Sequence, residues 1–317
     1  RYKAGANSYF DGYMAEINFI DGQALDASSF GEFKSGVWIP KDPSGLTYGT
    51  NGFRLSFQND TVSEGFNTAL YRGNGADSHS INGLGFATDL VWIKSRSAAA
   101  DHHLYDSVRG ANLELRSNTT NSERNLSGTC GFHSDGFTVG TATTNTDGGS
   151  YVAWCWDAGS GSPVSNTDGS IASTVKANAA YGQSIVTWTG TNGAGANEET
   201  VGHGLNSAPE FFWVKARSAT HTWWCGTTAI DGSMDVLLFQ STDAKVNSSS
   251  NVPTSSIFNV GGTSLNENGT TYVAYCFHSV ANYSDIGTYT GNGSTSGPTI
   301  TTGFKPAFVM LKRTDTR

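Results

Sequence analysis

Hydrophobic positions along this chain fall in short runs, separated by polar stretches dense in glycine, serine, threonine and asparagine. In Tyr151-Val152-Ala153-Trp154-Cys155-Trp156 bulky aromatics alternate with smaller residues, and Tyr272-Val273-Ala274-Tyr275-Cys276-Phe277 does the same. A period of two sends alternate side chains to opposite faces of a strand. Ile185-Val186-Thr187-Trp188 adds a β-branched and aromatic run of the kind enriched in sheets. No segment keeps a helical period over three turns, and residues 107–115 have room for one short helix at most. Residues 141–149 and 247–256, polar and of low complexity, read as loop tips. The pattern predicts an all-β protein.

The same runs recur. Leu90-Val91-Trp92-Ile93-Lys94 returns as Phe211-Phe212-Trp213-Val214-Lys215, and again as Phe308-Val309-Met310-Leu311-Lys312. Trp92 and Trp213 lie 121 residues apart, as do Cys155 and Cys276, and Gly140 and Gly261. The third occurrence follows the second by 97 residues, Lys215 to Lys312. Aromatic-glycine turns precede each run: Tyr71 to Gly75, Trp188 to Gly193 and Tyr289 to Gly293. Asn-Gly within them is a strong hairpin signal, because both residues accept positive φ. Repetition of Trp92 as Trp213 marks both as core residues. The expected organisation is tandem β-sandwich-like modules at 61–160 and 161–280, with the start of a third at 281–317. The Gly/Ser/Pro-rich residues 159–168 and residues 58–66 supply the junctions.

Composition narrows this picture. A length of 317 residues fits two or three domains of roughly 100–200 residues each. Only 15% of residues are charged, yet 17 Phe, 12 Tyr and 8 Trp provide enough apolar surface for real cores. A net charge of −8 removes the attraction that would drive general binding to nucleic acid or to an anionic membrane. No run approaches the roughly 18 apolar residues of a spanning helix. Arg1-Tyr2-Lys3-Ala4 is neither an initiator nor a signal peptide, so the chain reads as a fragment of a longer protein. Cys130, Cys155, Cys225 and Cys276 are scattered and form no CxxC pair, which predicts buried free thiols.

Residues 1–60 carry a different signature. Ser8-Tyr9-Phe10-Asp11-Gly12, the alternating stretch Tyr13 to Asp21 and Gly22-Gln23-Ala24-Leu25 resemble the closing strands of laminin-G-like or concanavalin-like jelly rolls. Val37-Trp38-Ile39-Pro40-Lys41 and Tyr48 to Leu55 continue it. Followed by Asp89 to Lys94, Leu104 to Gly110, Thr271 to Phe277 and Gly303 to Val309, the whole chain resembles tail or tail-fibre proteins of marine bacteriophages, especially cyanophages. That resemblance implies a virion-surface, extracellular location, contact with other virion proteins, and a homo-oligomer, commonly a trimer. It carries over no catalytic residue.

Candidate chemistry is sparse. Asp101-His102-His103 with Asp106 is the densest titratable group, but adjacent residues of a strand point to opposite faces, which spoils joint metal ligation. Glycan hydrolysis needs two carboxylates roughly 5–10 Å apart across a cleft. Glu16, Asp89, Asp106, Glu114, Asp135, Glu198, Glu199 and Asp235 are available, yet no pair recurs in both repeats. No nucleophile elbow is present. Calcium is compatible with the laminin-G-like segment through Asp21, Asp26 and Asp42, but their spacing matches no recognised loop and turn chemistry accounts for them. No other cofactor is indicated. Trp223-Trp224, with His221 ahead of them, offer an aromatic platform for a sugar ring, alternation leaving one Trp in the core and the other partly exposed. The expected function is structural and adhesive, attachment to a host glycan or protein receptor. The alternatives are a glycan-degrading tail enzyme and a purely architectural decoration protein.

Overall fold

A computed structural model describes residues 17–34, 37–41, 45–55, 65–126, 128, 130–140, 143–191 and 199–315. The chain divides into two compact units, residues 1–62 and 63–317. The fold is all-β and sandwich-type.

In the first unit β1 (Ile17–Phe19) pairs antiparallel with β4 (Phe53–Leu55), and β2 (Gly31–Lys34) forms a hairpin with β3 (Val37–Pro40). Phe19 stacks on Phe53 at 5.4 Å between ring centroids. Residues 1–16 of the laminin-G-like signature lie outside the described residues.

The second unit begins with β5 (Phe66–Arg72), β6 (His79–Asn82), β7 (Leu90–Ser95), β8 (His102–Asp106), β9 (Leu113–Arg116), β10 (Arg124–Asn125), β11 (Cys130–His133), β12 (Gly136–Val139) and β13 (Ser150–Trp156). It continues through β14 (Val164–Asn166), β15 (Ser173–Asn178), β16 (Gln183–Thr189), β17 (Glu199–Gly202), β18 (Phe211–Ala216), β19 (Trp224–Thr227), β20 (Asp235–Leu238), β21 (Val246–Asn247), β22 (Ile257–Val260), a short helix α1 (Gly262–Asn266) and β23 (Thr271–Phe277). A six-stranded sheet runs β10-β9-β8-β7-β13-β5. An eight-stranded sheet repeats that order as β21-β20-β19-β18-β23-β16 and adds β15 and β14 beyond β16. Each has a small companion, β11-β12-β6 in the first copy and β17-β22 in the second.

Register repeats with order. Trp154 faces Trp92 across β13 and β7, and Tyr275 faces Trp213 across β23 and β18. The side-chain bonds that close the turns repeat as well. The Tyr151 hydroxyl accepts from Thr146 N at 3.0 Å and Tyr272 accepts from Glu267 N at 2.9 Å. Ser97 accepts from Ser150 N and Ser218 from Thr271 N, both at 3.0 Å.

Alternation explains why the central strands are hydrophobic throughout. Val91, Ile93, Tyr151 and Ala153 enter the core between the six-stranded sheet and its companion, with Phe137 and Val139 opposite. Phe212, Val214, Tyr272 and Ala274 do the same in the second copy, with Phe258 and Val260. The remaining faces meet each other: Leu90, Trp92, Leu104 and Trp156 pack with Trp213, Trp223, Val273 and Tyr275 in a third core. Both large sheets are thus covered on both faces, and the two copies form one four-layered body.

Residues 107–115 hold no helix: the Asp106 carboxylate takes the N–H groups of Val108 and Arg109, closing a turn, and Leu113 to Leu115 then belong to β9. Nor is the third occurrence of the repeated run a strand. Phe308 packs at the edge of the shared core against Phe66, Trp154 and Trp156 at 5.6–5.8 Å.

Candidate functional site

The two copies share a scaffold, so a place where they differ is a place where function can reside. Such a place lies on the face of β8 and β9 turned toward the small companion sheet. In the first copy it is filled with charge. Glu114 accepts from Arg116 at 2.8 Å, Arg124 at 2.7 Å and the Tyr105 hydroxyl at 3.0 Å, with His103 Nδ1 at 3.0 Å. Burial would raise the Glu114 pKa, but bonds from His103 and Arg116 overcome it and hold the carboxyl at about 2. The His103 Nε2 is 3.0 Å from the Thr143 hydroxyl. Strand β11 closes over this region, burying Cys130.

The second copy replaces these groups. By strand register Trp224 stands for His103, Gly226 for Tyr105 and Val236 for Glu114. The residues that would continue β11 are Asn251-Val252-Pro253-Thr254, and they form no strand, since Pro253 lacks the N–H a ladder needs. The result is a shallow groove, about 40 Å³ in volume and open to solvent. Phe212, Val214, Met234 and Val236 line it with apolar surface, and Ser248, Asn251 and Asn259 with neutral polar groups. No lining residue is charged. Gly226 gives the Phe212 ring its space, because a Cβ there would lie 2.4 Å from the ring. Trp224 also lines the groove, half-buried, and its indole N–H meets no acceptor among the described residues.

Of the residues singled out in sequence, Trp224 alone lines this groove. Trp223 is fully buried in the shared core and donates its indole N–H to Arg116 O at 2.8 Å. It therefore offers no face to a ligand, which corrects its candidacy. His221 is partly exposed outside the lining, its Nε2 3.3 Å from the Glu267 carboxylate. The floor and rim residues were missed in sequence. The signal was available in the repeat itself, as the mismatches of His103 with Trp224 and Phe132 with Pro253 inside otherwise matching copies.

Other candidates are structurally engaged. Asp89 pairs with Lys176 at 2.6 Å and Asp235 with Lys245 at 2.7 Å. Asp106 binds Arg109 and the Tyr275 hydroxyl. Asp135 accepts from the N–H groups of Gly83 and Gly85, and Glu199 from the Ser170 hydroxyl. Asp21 accepts twice from Asn51, which is turn chemistry. Glu16, Asp42 and Glu198 lie outside the described residues. Among the described residues no group of three or more His, Cys, Asp or Glu is placed to hold a metal. The four cysteines are buried and free.

Fold and groove together define a class: a duplicated all-β sandwich whose second copy has an uncharged, tryptophan-lined cleft. The chain belongs to a family described as a domain of unknown function, DUF7483, whose model matches residues 61–317. No match was found to a curated protein or to a solved structure.

Proposed function

We propose that this chain is a structural and adhesive component of a virion surface, a tail fibre or related appendage, and that it holds a neutral host saccharide in the Trp224 groove. The observation that carries the reading is the chemistry of that groove. A pyranose presents an apolar face of C–H groups and a rim of hydroxyls. An indole beside apolar floor residues suits the face, and Ser248, Asn251 and Asn259 suit the rim. The lack of charged lining disfavours acidic sugars. Single contacts of this kind are weak, and display of several chains on one particle would raise the avidity by about 10²–10⁴-fold.

A glycan array probed with the full chain, alongside Trp224→Ala and Asn251→Ala, tests the proposal. Retention of neutral glycans is expected, reduced at least about tenfold by Trp224→Ala, equivalent to about 1.4 kcal/mol, when read at a temperature where circular dichroism shows the variant folded, since Trp224 also packs on the core. Retention untouched by Trp224→Ala rules the groove out. Release of shortened oligosaccharides from the array would favour a glycan-degrading enzyme instead.

A further inference from the structure

The two large sheets differ at one edge. In the second copy β15 pairs along the outer side of β16, from Asn178 opposite Gln183 to Ser173 opposite Trp188. In the first copy the equivalent strand, β5, is the last of its sheet. Bonds from Asp157 N to Gly65 O (3.0 Å) and from Gly73 N to Gly149 O (2.8 Å) set the parity of β5. Odd-numbered residues face β13, and Phe66, Thr68, Leu70 and Arg72 turn their N–H and C=O outward. The Asn67 side chain takes the Thr68 N–H at 2.8 Å. The outward backbone groups of Leu70 and Arg72 meet no other strand among the described residues.

Edge strands are ordinarily protected by lysine, proline, a bulge or short length. β5 is seven residues long, carries no lysine or proline, and leaves Leu70 66% exposed. Its one charge is Arg72, at its end.

We infer that β5 is a self-association surface, pairing antiparallel with β5 of a second copy of this chain. A two-fold axis at Leu70 sets it opposite the partner's Leu70, and sets Arg72 opposite the partner's Thr68; the two Leu70 residues exchange both bonds, and each Arg72 N–H donates to the partner's Thr68 C=O, the Thr68 N–H staying with Asn67. Leucine meets leucine and the arginines never face each other, so the strand is complementary to itself. β15 supplies the internal precedent, since the duplicate sheet accepts an antiparallel strand at the same edge. The contact is isologous and closes at two copies.

Cysteine crosslinking of the full chain reads the register directly. Opposed residues in a hydrogen-bonded antiparallel pair have Cα atoms about 5.5 Å apart, within disulfide span. Native thiols are buried and do not compete. Leu70→Cys is expected to give a covalent dimer under mild oxidation, whereas Arg72→Cys alone is not, and mixing Thr68→Cys with Arg72→Cys restores the crosslink. Leu70→Pro removes an outward N–H and spares the bonds to β13. It should yield a monomer with wild-type melting, against a concentration-dependent dimer for the wild type by light scattering. A wild type that stays at single-chain mass overturns the inference. So does a dimer that survives Leu70→Pro, or Arg72→Cys that crosslinks as readily as Leu70→Cys.

Discussion

Lys215 shows what one side chain can reveal about a layered fold. It lies on β18 with its side chain wholly buried, and its ammonium donates to Ala216 O at 2.8 Å and Ala219 O at 3.4 Å. No carboxylate among the described residues pairs with it. Burial therefore pushes its pKa down to about 8. A depressed lysine is a penalty on folding that is fully present below pH 8 and relieved as pH rises toward the unfolded value near 10.5. Lys215→Met should accordingly stabilise the protein by about 1–3 kcal/mol at pH 7. The gain over wild type should shrink between pH 8 and 10.5 in urea titrations. Lys94 occupies the same repeat position and is only partly buried, so the repeat by itself does not tell that Lys215 is enclosed. Trp223 and Trp224 were equally ambiguous: alternation separated them without saying that the face carrying Trp223 would be covered by the other copy.

At the scale of elements, Glu114 is the rivet of the first copy. It joins His103 of β8, Arg116 of its own strand β9 and Arg124 of β10, and is 1% exposed. Glutamine would keep one acceptor oxygen but turn the other into a donor and remove the charge, so the four partners could not all be satisfied. Glu114→Gln should cost about 2–4 kcal/mol at neutral pH. Because the native carboxyl is held at about 2, its contribution is complete above the ordinary value of 4.5 and is lost as pH falls through 2. The gap between wild type and variant should close over that interval in acid denaturation. The same network explains why residues 107–115, with room for one short helix, hold none. Charged Glu114 and Arg116 beside Leu113 and Leu115 suit a helix locally, and only their pairing partners on β8 and β10 make them a strand. In the second copy the corresponding strands carry apolar residues, and the groove follows from that exchange together with the loss of a strand at Pro253.

The whole second unit behaves as one body because its copies share a core. Trp92 meets its repeat equivalent Trp213 at 5.6 Å, and Trp156 meets its equivalent Phe277 at 6.3 Å. Equivalent residues in mutual contact are the mark of a pseudo-two-fold interface. Charged pairs close its margins: Arg217 bonds Glu123 twice at 2.9 Å, and Lys176 reaches Asp89. Trp213→Ala should cost about 3–5 kcal/mol and loosen both copies together. Residues 63–315 should show a single cooperative unfolding transition in calorimetry, with amide protection falling in β7 and β13 as much as in β18 and β23. Two separated transitions would contradict the shared core.

Strand identity, the duplication and the core role of the paired tryptophans were written in the sequence, because they depend on local periodicity and on matching offsets along one chain. Which face each strand presents to which neighbour was not, because both faces of the central strands are apolar and no linear pattern distinguishes a copy's own core from the core it shares. The groove and the open edge of β5 belong to the same class of facts. Each arises from a difference between two similar copies, and it gains physical meaning only when their strands are laid in register.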